Sequence, residues 1–320
     1  MFDQYPAYEP HFAQVQLVCF MVAMGTTLSL TDFALVFRQP RSFVAAVLMQ
    51  LLVIPWVAVL IDVALGLDEG IAVGLVLVAA MPGGAMSKLF SYLGRGNAAL
   101  SISLTAFTTL ASLVTVPAML QLLVSRYIRE DFEMPIGRIF LDLVLYLLLP
   151  LIVGMVAARV WAERRRAIAR WSVRVGLVVV VLMIAGSLGS GRIRPGEYGW
   201  GPPLAIILFC LIGQQAAMLP FHIFGLPRSD RMAAGIEVTM RNMNLALLLT
   251  SRLFPGTDAL GSGVLFVVLF YAATAMVAGV PLVLNHRWLW RRDALYKRGA
   301  VAYLGDIPVE DGSETTQRIP

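Results

Sequence analysis

Ala79-Ala80-Met81-Pro82-Gly83-Gly84-Ala85-Met86-Ser87-Lys88 interrupts one apolar run of this chain, and Gly235-Ile236-Glu237-Val238-Thr239-Met240-Arg241-Asn242-Met243-Asn244 interrupts another. The first stretch puts Pro-Gly-Gly where a helix should continue. Proline removes an amide donor and glycine has little helical preference, so backbone carbonyls are freed. The second stretch puts a carboxylate, a guanidinium and two amides within the eight residues from Glu237 to Asn244. Irregular backbone and ionised groups at membrane depth must be buried in protein or line a watery cavity.

That both runs lie in a membrane follows from composition. Of 320 residues, 58% are hydrophobic and only 14% charged, with a mean hydropathy of +0.77. A soluble domain carries roughly a quarter charged residues. This chain has too little charge to cover a water-facing surface, which excludes soluble enzymes, secreted disulfide scaffolds and disordered regulators. Cys19 and Cys210 both sit in apolar runs and read as small buried hydrophobes. The formal charge of +5 comes from 23 Arg and two Lys, most of them at the ends of apolar runs. That is a positive-inside pattern and no nucleic-acid footprint. Met1 to Pro10 lacks a basic n-region, so no cleavable signal peptide is expected.

The chain divides into nine apolar runs of spanning length, near 12–30, 42–65, 70–93, 98–124, 139–160, 172–189, 200–222, 232–251 and 261–284. The fold class expected is an all-α polytopic membrane protein. Residues 1–11 form an extracytoplasmic N-terminus, 12–284 the transmembrane transporter domain, and 285–320 a cytoplasmic tail. One set of connections holds 16 basic residues (Arg38, Arg41, Arg95, Arg159, Arg164, Arg165, Arg166, Arg170, Arg174, Arg228, Arg231, Arg287, Arg291, Arg292, Lys297 and Arg298). The opposite set holds six: Arg126, Arg129, Arg138, Arg192, Arg194 and Arg252. The imbalance puts the N-terminus outside and the C-terminus in the cytoplasm, in a multi-pass protein of a bacterial inner membrane. The tail after about Gly299 is polar and acidic (Glu310, Asp311, Glu314) and expected to be disordered.

A packing kink accounts for either break taken alone. The pair says more, because the interrupted runs hold comparable positions in the two halves of the chain. Paired interrupted segments mark the binding site of an inverted-repeat transporter. The first four and last four runs fit such a repeat, with the fifth left over.

These residues resemble the bile acid:sodium symporter family of secondary transporters. The resemblance rests on Met24-Gly25-Thr26-Thr27-Leu28-Ser29 with Asp32-Phe33, on Gln50 ahead of Ile54-Pro55, and on Pro82-Gly83-Gly84 with Ser87. Tyr92-Leu93, Gly96, Ala99-Leu100-Ser101, and Gly235-Ile236-Glu237-Val238 with Met240 and Asn242 complete it. It implies panel and core domains, with two broken helices crossing at the substrate site. Members with nine spans lack a leading helix, which fits the leftover run.

The resemblance also implies two sodium sites, and each has lost a ligand here. The first uses side chains matching Ser87, Ser101, Thr105 and Glu237, plus an asparagine where this chain has Lys88. The second uses a glutamine matching Gln50, groups matching Glu237, Val238 and Met240, and a further glutamine where this chain has Arg241. Ammonium and guanidinium groups only donate, so neither replaces an oxygen ligand. Two sodium ions and one glutamate sum to +1, and so do Lys88, Arg241 and Glu237. The expectation is a sodium-independent protein with no metal site, in which both cations pair with Glu237 and hold the crossing helices together.

The expected cargo is a small organic anion, carried by alternating access, with facilitated transport, exchange against a counter-anion and proton coupling all open and the first two favoured. Thr108, Thr109 and Asn244 are candidate cavity-lining groups. Membrane lipid is the other expected partner, and no cofactor is implied. Two other readings stay open: a sodium-coupled organic anion symporter, and a non-transporting membrane sensor or scaffold. An enzyme is not expected. No His-Glu metal motif or nucleophile elbow occurs, His11, His222 and His286 sit near run ends, and adjacent Ser87 and Lys88 diverge on a helix.

Overall fold

The computed structural model describes residues 5–29, 31–32, 40–124, 127, 134–192, 196, 198–255 and 258–305, without the side chains of 291 and 293–305. Phe33, Arg38, Arg126, Arg129, Arg194, Glu310, Asp311 and Glu314, singled out above, lie outside the described residues. What is described is helical: α1 (Tyr5–Gly25), α2 (Pro40–Leu65), α3 (Glu69–Ala80), α4 (Met86–Leu93), α5 (Ala98–Val124) and α6 (Ile136–Val160). Then follow α7 (Arg165–Gly189), α8 (Gly201–Ile223), α9 (Arg228–Thr239), α10 (Met243–Leu253) and α11 (Ala259–Gly305). Among the described residues, six helices are long and apolar enough to cross a membrane. They are α2, α5, α6, α7, α8 and α11, and α3 and α10 are shorter apolar helices.

Two ends depart from the sequence expectation. The first run was expected at 12–30, but α1 begins at Tyr5 and takes Glu9 inside the fold at 1% exposure. An ion pair with Arg192 at 2.7 Å offsets the charge that marks the end of the apolar run in sequence. The last helix continues past 284 to Gly305.

Prolines shape the long helices without ending them. Met49–Val53, Leu120–Val124 and Leu143–Leu148 are π-helical, and each lies within a few residues of Pro55, Pro117 or Pro150. A proline ring clashes with the carbonyl four residues back, and for Pro55 and Pro150 that carbonyl lies in the wider turn, which relieves the clash. Gln50 lies on the first of these turns.

Helices α6 and α7 both pack on α1, and α1 also packs against α10. The two short apolar helices lie deep inside. Every residue of α3 except Glu69 is buried, as is the stretch Leu245 to Ser251 of α10. A helix buried all round belongs to the middle of a bundle. Each is one arm of an interrupted run, so the interruptions also lie at the centre.

Candidate functional site

The first interruption begins where Pro82, followed by two glycines, disfavours helical backbone in the residue before it. Met81 accordingly adopts φ −68°, ψ 142°. The second contains neither proline nor glycine. Met240 (φ −91°, ψ 75°) leaves the helix and Asn242 starts the next one, its Oδ1 accepting from Leu245 N at 3.1 Å.

The two interruptions pair with each other. Gly84 N donates to Met240 O at 2.6 Å, Asn242 N donates to Pro82 O at 2.8 Å, and Gly83 and Arg241 form an antiparallel bridge. Freed backbone groups with no water to bind thereby satisfy one another. Only glycine permits this approach. A Cβ on Gly83 would stand 1.7 Å from Glu237 Oε1, and one on Gly84 would stand 2.7 Å from the Arg241 carbonyl oxygen.

Beside the crossing lies a cluster of oxygens. Ser101 and Thr105 sit one turn apart on α5, so their hydroxyls share a face. Thr105 Oγ1 donates to Glu237 Oε1 at 2.6 Å and Ser101 Oγ donates to Glu237 Oε2 at 3.2 Å. Ser87 Oγ, in the first turn of α4, lies 3.2 Å from Thr105 Oγ1 and donates to Gly84 O at 2.8 Å. All four residues are at most 1% exposed. Ser87, Ser101, Thr105 and Glu237, scattered over 151 residues of sequence (87 to 237 inclusive), form one cluster. Thr108 adjoins it and accepts from Gly83 N at 3.4 Å.

The expected three-way pairing of charges is not formed. Among the described residues no ion pair joins Glu237 to Lys88 or Arg241. Hydroxyls take up the carboxylate instead. Arg241, 5% exposed, turns its Nη1 to Ala79 O at 2.7 Å and Met81 O at 3.0 Å. Those carbonyls belong to the frayed C-terminal end of α3, which carries the negative end of the helix dipole. One guanidinium nitrogen thus meets two helix-end carbonyls in place of a carboxylate. Lys88 is half-buried, and its Nζ reaches Thr27 Oγ1 at 3.4 Å, away from the hydroxyl–carboxylate cluster.

The groups of the second expected sodium site have other partners or none. Met240 O accepts from Gly84 N, and Val238 O accepts from Tyr271 Oη at 3.4 Å. Gln50 is 1% exposed, and neither its Oε1 nor its Nε2 has a hydrogen-bond partner among the described residues. Thr109 is buried with its hydroxyl likewise unpartnered, while the Asn244 carbonyl accepts from Gln16 Nε2 at 3.0 Å.

Several supporting residues escaped the sequence reading. Gln214 Nε2 donates to Thr239 Oγ1 at 3.0 Å and Tyr271 Oη donates to Thr239 O at 3.1 Å, closing the last turn of α9. A polar residue inside an apolar run is the signal that could have marked Gln16, Gln214 and Tyr271. A cavity of about 670 Å³ was not foreseen either. It is walled by Leu28, Leu110, Leu148, Leu151, Ile152, Met155 and Val156, with Arg159 and Arg165 in its lining. It lies between the C-terminal end of α1, α5, α6 and the start of α7. Thr108, Thr109, Asn242 and Asn244 do not line it.

Residues 14–190 match the family described as Sodium Bile acid symporter family. The chain is 27% identical over 244 residues to the uncharacterized sodium-dependent transporter YocS of Bacillus subtilis (strain 168), covering 76% of this chain and 75% of YocS. It is also 27% identical over 245 residues to the probable sodium/metabolite cotransporter BASS1, chloroplastic, of Arabidopsis thaliana, covering 77% of this chain. It spans only 60% of that relative's length. With the sodium/bile acid cotransporter 4 of Homo sapiens it shares 27% identity over 296 residues, 90% of this chain and 65% of the relative.

Proposed function

This chain belongs to the Sodium Bile acid symporter family, and on that premise we propose that it carries a small organic anion across a membrane by alternating access, without requiring sodium. It is a multi-pass integral membrane protein of a transporter family, and the reading makes it a carrier and not an enzyme. Nine spans in an inverted repeat, with α1, α6 and α7 as the panel and the other helices as the core, make up the machine. The N-terminus lies outside and the C-terminus in the cytoplasm of a bacterial inner membrane.

One observation carries the sodium independence: the Arg241 guanidinium donates to Ala79 O and Met81 O at the crossing of the interrupted runs. Carbonyls freed by a broken helix are what a small monovalent cation would bind there. A cation on the chain itself makes a diffusible one unnecessary. The cargo class follows from the cavity. An apolar wall of about 670 Å³ with Arg159 and Arg165 in the lining suits an apolar body bearing one anionic group. A proton or a counter-anion remains the candidate coupling partner.

A second reading, a sodium-coupled symporter, is favoured by a different observation. Lys88 extends to Thr27, so the oxygens of Ser87, Ser101, Thr105 and Glu237 keep the chemistry of a single cation site. The unfolding temperature of the purified protein in sodium chloride against choline chloride at equal ionic strength separates the two. A ligand that binds only the folded state raises stability by mass action. The expected result is no difference. A saturable, sodium-specific rise overturns sodium independence and assigns the ion to the Glu237 cluster.

A further inference from the structure

Arg192 is the largest fully buried side chain among the described residues, at 0% exposure, and the sequence reading gave it no role beyond a loop charge. It follows the C-terminal end of α7. Its Nε lies 2.7 Å from Glu9 Oε2 on α1, its Nη1 donates to Pro255 O at 2.9 Å, and its Nη2 donates to Phe254 O at 2.8 Å. One guanidinium therefore ties α1 and the end of α7 to the Phe254 and Pro255 carbonyls that follow α10. The opposite end of α10 starts at Asn242, within the crossing. There too α1 holds it, through Gln16 Nε2 and Asn244 O at 3.0 Å.

At the Arg192 end, a polar cleft of about 700 Å³ lies between the starts of α3 and α11 and the segment Ser190 to Arg192. It is lined by Asp68, Glu69 and Asp258 as well, and Arg192 forms part of its lining. The arrangement is a polar vestibule that ends on a buried ion pair.

We propose that Glu9 and Arg192 form a latch that closes the vestibule end of the transporter by holding the second interrupted run against α1, and that opens once per transport cycle. The proposal rests on the alternating-access reading. The chemistry suits a two-state contact. A buried charge pair that also satisfies two helix-end carbonyls holds firmly when dry. The vestibule supplies water to rehydrate the same groups when the helices part. Contacts that reseal in discrete arrangements are how such bundles switch.

Two experiments test it. A single reporter, Asn244→Cys, is placed in the full chain lacking Cys19 and Cys210, reconstituted in vesicles. A membrane-impermeant maleimide is added on the side facing residues 190–192. Arg192→Gln and Glu9→Gln should each raise the labelling rate on the order of tenfold. Arg192→Lys keeps the charge opposite Glu9 but loses the planar fork across two carbonyls, and should fall between. This readout needs no substrate, so it stands or falls separately from the transport reading. Unchanged labelling in variants that remain monodisperse and melt as the parent does overturns the latch. Where Arg192→Gln fails to fold, the second experiment joins Glu9→Cys to Phe254→Cys with a reducible bifunctional maleimide. Arrest of anion counterflow that reverses on reduction supports a moving contact. Counterflow at the parent rate in the linked protein overturns it, because a purely structural contact tolerates being tied.

Discussion

The two interruptions meet as partners yet arise differently. Residues 81–85 break because of their own composition, since Pro82 disfavours helix before it and two glycines with little helical preference follow. Residues 240–242 break without proline or glycine and hold their shape through what they touch: Gly84 and Pro82 across the bridge, the Ala79 and Met81 carbonyls under Arg241, and the Asn242 cap. The same contrast separates the two cations. Arg241 is built into the crossing, while Lys88 makes one long contact at its margin. A charge in a membrane helix is thus no single kind of feature. Its role follows from which freed backbone group it can reach.

The sharpest way to break this comparison is to part the interruptions. Gly84→Ala brings a Cβ within 2.7 Å of the Arg241 carbonyl, where the neighbour is backbone and cannot step aside. A loss of more than about 3 kcal/mol is expected, seen as failed folding or a collapsed unfolding midpoint in detergent. A midpoint near that of the parent would mean the bridge is loose.

Arg241→Gln comes next. The substitution strands helix-end carbonyls and should cost about 2–4 kcal/mol in the unfolding midpoint. It should also confer a stabilisation by sodium that the parent lacks. If sodium leaves both proteins alike, the guanidinium does not stand in for an ion. Thr105→Val removes the 2.6 Å donor to Glu237 and should cost about 1.5–3 kcal/mol by the same measurement. Loss of the Asn242 cap in Asn242→Ala should cost about 1 kcal/mol. The smallest effect belongs to Lys88→Gln, at roughly 0–1 kcal/mol, because one half-buried contact of 3.4 Å is all that is lost. If Lys88→Gln proves as damaging as Arg241→Gln, the two cations are equivalent after all and the distinction fails.

Much of the site was legible in the residues. Pro82-Gly83-Gly84 announces its own break, while Ser101 and Thr105 were marked by the family resemblance. Partners were harder to read. Formal charge suggested that Arg241 would seek Glu237, because sequence displays side-chain charge and hides the partial charge of a helix end. Glu9 was set outside the first apolar run for the converse reason: Arg192, 183 residues away in sequence (192 − 9), removes the cost of burying it. The apolar cavity left no trace in sequence, because its walls are ordinary leucines, isoleucines and valines contributed by separate helices.

Sequence by itself determined that this chain lives in a membrane, where its long helices run, and that two of its apolar runs are interrupted. Those properties depend on local composition and backbone stereochemistry, which act over a few residues. Only the tertiary structure decided that the interruptions pair, that hydroxyls hold Glu237, and that Arg241 and Arg192 each cap a helix end. Low dielectric makes an unpartnered buried polar group costly, and which partner such a group finds depends on how the helices come together.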